Sequence, residues 1–132
     1  DLPAVAQWAL ERMRGLGKET YECLFFLATA EMSQGREDNA IATLERAVRL
    51  NSRNGRALLL LGKLRGDRGQ LELAREALRS ASACPETSYE ANTALAKVCK
   101  SLRLDAEARE AESKARGGRP RPSGGLTLFQ GR

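Results

Sequence analysis

Chemistry in this chain would have to come from Cys23, Cys84 and Cys99, from scattered hydroxyls and lysines, or from acid pairs such as Glu37-Asp38, because histidine is absent. That absence removes an imidazole base, Ser-His and Cys-His nucleophile pairs, and any His-ligated metal. The cysteines show no C-x-x-C spacing, and their odd number leaves one unpaired in any disulfide scheme. Buried, reduced thiols on helices account for them more simply, which favours a reducing, cytoplasmic setting. No G-x-x-x-x-G-K-[ST] phosphate loop is present; Gly15, Gly17, Gly35, Gly62, Gly66 and Gly69 are placed as helix ends and crossings. Glu37-Asp38 has the position of helix-start charge. No nucleophile has a partner identifiable from spacing. The expectation is no enzyme, no cofactor and no metal.

The elements that position the remaining residues follow from the bulk properties. The 132 residues suffice for one ordinary domain, and 42% apolar with 30% charged content describes a globular chain. Aromatic residues make up only 5%, so the core must be built from Leu and Ala. Of the net charge of +5, Arg119, Arg121 and Arg132 contribute +3 in an acid-free tail. The body is close to neutral and lacks the basic footprint of a nucleic-acid binder. No apolar run approaches the roughly 18 to 20 residues a bilayer needs, Leu58 to Leu61 being bounded by Arg56 and Lys63, so no membrane span is expected.

Sliding the chain against itself by 34 residues reveals its organisation. Ala6, Ala40, Ala74 and Ala108 fall in one column. Leu10, Leu44 and Leu78 align, as do Met13, Ala47, Ala81 and Ala115. Leu24 aligns with Leu58; Leu27 with Leu61 and Leu95; Ala28 with Gly62 and Ala96; Gly35 with Gly69. Small and large residues keep separate columns. Within each period, Leu24, Leu27, Ala28 and Glu31 mark one helical face, Gln34-Gly35 breaks it, and Ala40, Leu44 and Ala47 form a second stripe ended by Asn51 to Asn54. The same logic predicts helices over 55–67 and 71–83, stopped by Pro85, and over 88–101 and 105–116. Ser88 is the expected N-cap and Gly117-Gly118 the stop. Tiny residues at the crossings let helix axes approach, and pairs that cannot bury both faces alone must stack.

This pattern resembles the tetratricopeptide repeat family over residues 1 to about 116. The small-residue and Leu columns carry the resemblance, best over 21–54 and 55–88. The family's aromatics at its fourth and eleventh positions are replaced by Leu24 and Leu58 and by Glu31, Arg65 and Cys99; its usual Pro is Ser52 in one unit, and Pro85 falls one place early in the next. The resemblance implies an all-α, right-handed α-solenoid of antiparallel helix pairs, about three and a half repeats long. These are a half repeat at 3–14, repeats at 21–54, 55–87 and 88–116, and a flexible basic Gly/Pro-rich tail at 117–132.

It also implies a concave groove lined by the first helix of each unit, where partner segments bind. Carried onto this chain, the groove positions are Glu22, Phe25, Thr29, Met32 and Ser33; Arg56, Leu59, Lys63, Gly66 and Asp67; and Glu90, Thr93, Lys97, Lys100 and Ser101. Phe25, Met32 and Leu59 are apolar where the packing stripe makes no demand, and Lys63, Lys97 and Lys100 form a basic stretch beside them. The implied partner is a protein or peptide with an apolar anchor and one or two carboxylates. A solvated charged face is the plainer account of the same lysines. The subtype that grips chaperone tails does not fit: its positions hold Phe25, Thr29, Leu60, Glu90 and Ala94.

The ends differ. Residues 3–14 register as a second helix without its first, so Val5, Leu10 and Met13 should have an uncovered side near Trp8. The start at Asp1, without Met or signal peptide, suggests a fragment or processed product, and the open edge offers a route to self-association. At the other end Glu112 replaces the Leu column and Asn92 replaces Leu24 and Leu58. Glu110–Lys114 and Glu112–Arg116 stand at supportive spacing, as a terminal cap requires. In the tail, Leu126-Thr127-Leu128-Phe129 is a compact apolar motif that could dock in a groove, and 128–131 also looks like a viral 3C protease cleavage core. The leading reading is a protein-protein interaction scaffold or adaptor. The alternative is a self-assembling module joined through the N-terminal edge or the tail.

Overall fold

The computed structural model describes residues 3–118. The tail motif at 126–129 and the tail arginines lie outside the described residues. Seven α-helices account for nearly all of the rest: α1 (Ala4–Leu16), α2 (Tyr21–Ser33), α3 (Glu37–Leu50), α4 (Gly55–Asp67), α5 (Leu71–Ser82), α6 (Ser88–Ser101) and α7 (Asp105–Gly117), with a 3-10 turn at Pro85–Thr87 before α6.

Local chemistry fixes the ends. Thr20 caps α2 by accepting the Cys23 N–H, and Asn54 caps α4 by accepting from Arg56 N at 3.0 Å and Ala57 N at 3.3 Å. The turns between the helices of each pair are the same object three times. Gly35, Gly69 and Arg103 stand 34 residues apart with φ of 74°, 80° and 62°. In each turn the next residue's N–H reaches back to the last helical turn: Arg36 to Glu31 O, Gln70 to Arg65 O and Leu104 to Cys99 O, at 2.8–2.9 Å. The third turn holds the left-handed geometry without glycine. Ser88 does not cap α6; the 3-10 turn led by Pro85 occupies that place. Thr87 Oγ1 donates to Ala81 O at 2.9 Å, while Ser88 O accepts from Asn92 Nδ2 at 3.0 Å.

Each helix packs on its neighbours in sequence, most extensively within α2–α3, α4–α5 and α6–α7. The result is an all-α solenoid of stacked helix pairs. Ala40 and Ala74 are fully buried where the paired helices cross. At the matching place on α4, a Cβ added to Gly62 would come within 2.7 Å of Leu78 Cγ, so this crossing is closed to the last methyl. Leu44 and Leu78 have no exposed surface, whereas Leu10, their columnmate on α1, is 36% exposed. Val5, Trp8 and Phe26 are also exposed at this edge, but Met13 is buried against α2, contrary to its expected exposure. Burial of the Leu and Ala columns supplies the main driving force for stacking.

Polar side chains replace the missing aromatics of the eleventh repeat position, and each is tied to a neighbouring helix. Thr43 Oγ1 donates to the buried Glu31 at 2.7 Å, and Arg65 pairs with Glu45. Beside Cys99, Arg75 Nε and Nη2 clasp Glu107, the shortest contact being 2.6 Å. Burial pushes the Cys99 thiol pKa up, and the neighbouring Glu107 adds to it. The Arg75 hydrogen bonds hold the Glu107 carboxyl below the ordinary carboxylate range.

Candidate partner-binding groove

The first helices of the pairs share one side of the array, where α4 also touches α6 directly. That side has two unlike stretches. Toward α1 it is aromatic. Tyr21 and Phe25 stack at 6.1 Å, Phe25 meets Phe26 edge-on at 6.3 Å, and Phe26 meets Trp8 at 5.9 Å and 74°. Partial burial pushes the Tyr21 phenol up to about 12, against the opposing pull of Arg56. Glu22, Thr29 and Arg56 are exposed around this cluster, although the Thr29 hydroxyl is committed to Phe25 O at 2.8 Å.

Farther along, a cleft of about 460 Å³ lies between α4 and α6 over α5. Gly62 and Gly66 line it from α4, Leu71 and Leu78 from α5, and Tyr89, Ala94 and Val98 from α6. The rim carries Lys63, Asp67, Glu90, Thr93, Lys97 and Ser101. Lys63 and Glu90 face each other across it at 3.8 Å. Lys97 and Asp67 have no ion-pair partner among the described residues.

A stack of helix pairs in step at 34 residues has a known counterpart. The tetratricopeptide repeat pattern matches residues 3–55 and again 25–88. The chain belongs to the tetratricopeptide repeat family. Two crystal structures of MamA share the repeat fold, with TM-scores of 0.70 and 0.69, each at 23% identity over 75% of this chain. The chain spans 58% and 54% of those MamA chains. No curated protein matches it.

Against the groove positions implied by the repeat resemblance, the structure makes three corrections. Leu59 does not face water: it is 8% exposed, within a cluster that includes Leu58, Leu78, Ala91 and Leu95, because α6 lies directly against α4. Phe25 and Met32 are half-buried and pack on the cluster around Leu44, so they hold the stack as well as border the groove. The three lysines do not act as one basic stretch. Lys100 turns to α7 and pairs with Glu112 at 2.6 Å, Lys63 pairs with Glu90, and Lys97 at the cleft has no ion pair among the described residues. Glu22, Thr29, Arg56, Lys63 and Lys97 are exposed.

Repeat positions alone did not mark Tyr89, Ala94 or Val98 as lining, nor Phe26 as Trp8's partner. The signal was present in the columns: Met32 aligns with Gly66, and Leu60 with Ala94, so bulk disappears twice at one place. Among the described residues no group of His, Cys, Asp or Glu is arranged to hold a metal ion, and no helix is long and apolar enough to cross a membrane.

Proposed function

We propose that residues 1–116 form a protein-protein interaction scaffold or adaptor module, without catalysis, that takes a partner segment along the side formed by α2, α4 and α6. The observation that carries this reading is the open cleft between α4 and α6, bordered by charges of both signs on the side of the array where the family's first helices lie. Specific recognition needs concave apolar surface with a few placed polar groups, and this stretch supplies both. Free, largely buried cysteines suit a reducing, cytoplasmic setting.

A random dodecapeptide library displayed on phage tests the reading. Peptides selected on the chain should lose binding to an Arg56→Glu/Lys63→Glu/Lys97→Glu variant and keep it with Arg49→Glu on the opposite helix layer. Selected peptides indifferent to the triple reversal would place recognition elsewhere.

Exposure of Leu10, Val5, Trp8 and Phe26 at the α1 edge favours a second reading, self-association through that edge. Sedimentation should then show concentration-dependent mass that Leu10→Lys/Phe26→Lys removes. A monomer at high concentration would dismiss it.

A further inference from the structure

The cleft exists because two positions are small at once. Where the first and second pairs meet, Met32 and Leu60 pack on the cluster around Ala28 and Leu44. At the places equivalent to Met32 and Leu60 one repeat later stand Gly66 and Ala94. The exchanges Met to Gly and Leu to Ala remove about seven heavy atoms, roughly one Phe side chain, from a kind of interior that normally packs at crystal density. The hollow is open. A Cβ on Gly66 would find nothing nearer than 3.9 Å, and the walls are Leu78, Val98 and Tyr89. Its volume falls within the usual range of ligand sites, about 300–1,000 Å³.

The rim gives the charge of the guest. Lys97 on α6 has no ion pair among the described residues, whereas Lys63 is already matched by Glu90. Asp67, the last residue of α4, is an acid with no ion pair among the described residues, at the helix end that disfavours negative charge.

We infer that this cleft receives one bulky apolar side chain, Leu, Met or Phe, from a segment of another protein. A carboxylate of the segment beside that anchor meets Lys97, and a basic group meets Asp67. The inference rests on the groove reading above and deepens it by giving the partner's chemistry. The guest side chain completes the packing that Met32 and Leu60 complete one repeat earlier.

The test uses the same displayed dodecapeptide library, followed by titration of the synthesised peptides. Selected peptides should share a Leu, Met or Phe adjoining an Asp or Glu. They should bind at least about tenfold more weakly to Gly66→Met/Ala94→Leu, which refills the hollow with its own repeat's side chains, and to Lys97→Glu. Circular dichroism and thermal melting establish that the variants are folded. If the double variant does not fold, Ala94→Leu alone and Lys97→Glu decide. Peptides that bind the refilled protein undiminished, yet are lost on the triple charge reversal, overturn the cleft assignment and leave the groove reading standing. Peptides lost on refilling but lacking an acid, or indifferent to Lys97→Glu, overturn the guest chemistry. A library that yields no binder sensitive to the triple reversal overturns both.

Discussion

Two junctions of the array are built from one template and finish differently. Around Leu44 the space between the first and second pairs is closed by Met32 and Leu60, with Phe25 and Tyr21 packed at its side. Around Leu78 the space between the second and third pairs stays hollow, because Gly66 and Ala94 do not reach into it. Both leucines are equally buried. A repeat array therefore need not alter its backbone to acquire a site. It can omit side chains at one junction and leave the neighbouring columns to hold the stack. The closed junction serves stability, and the hollow one gives up part of its packing to keep a surface available.

The largest effect should come from truncating the two leucines. Leu44→Ala and Leu78→Ala should each lose about 2–5 kcal/mol of unfolding free energy, read from urea denaturation. Leu44→Ala should be the costlier, because it leaves a sealed void between α2, α3 and α4, whereas the space left by Leu78 joins a cleft that water enters. Equal losses would mean that the hollow does not relieve its own wall. Next in size is the link inside the closed junction. Thr43→Val keeps the shape but leaves the Glu31 carboxylate buried without its donor, at a cost of about 1–3 kcal/mol. A smaller change would show that Glu31 swings out to water.

Much of this was legible because periodic small residues and turn glycines act locally. The helices expected over 55–67 and 88–101 have those bounds, and 71–83 and 105–116 differ by one residue at their ends. The sites of burial were less legible, since they depend on how far successive pairs rotate. Leu59 looks free on its own helix and is covered only once the neighbouring helices stack against α4. Lys100 looks like part of a basic stretch until Glu112, standing in a Leu column, draws it away. The polar residues in the aromatic column could be located from sequence, but their partners come from other helices at unrelated spacings. Arg75 and Glu107 meet 32 residues apart, just off the repeat period.

Two glycines on α4 sharpen the contrast between closed and open packing within one helix. Gly62→Ala forces Leu78 to move and should destabilise by about 1 kcal/mol, the overpacking cost outweighing the gain in helix propensity. Gly66→Ala, four residues on, meets only ordinary contacts and should stabilise by up to about 1 kcal/mol. Chemical denaturation of the pair should therefore give opposite signs. Matching signs would remove the claim that one position is a closed crossing and the other the floor of a hollow.

The smallest effect concerns the clasp that joins the hollow unit to the last pair. Glu107, held by Arg75, has its carboxyl pKa below the ordinary value of about 4.3. Between the two values the unfolded chain binds a proton that the folded chain does not, so stability rises with pH across that window. The contribution is fully present above the ordinary carboxylate pKa and disappears as pH falls through the lowered folded value. Urea midpoints recorded from pH 6 down to pH 3 should fall more steeply for the parent chain than for Glu107→Gln, with the two curves converging at the acid end. Glu112, lowered by its hydrogen bond to Lys100, adds to the parent's slope and persists in the variant. Parallel curves would mean that the clasp seen between α5 and α7 contributes nothing to the acid limit of the fold, leaving the shared apolar cluster of Leu78, Leu95 and Val98 to hold the last pair against the hollow one.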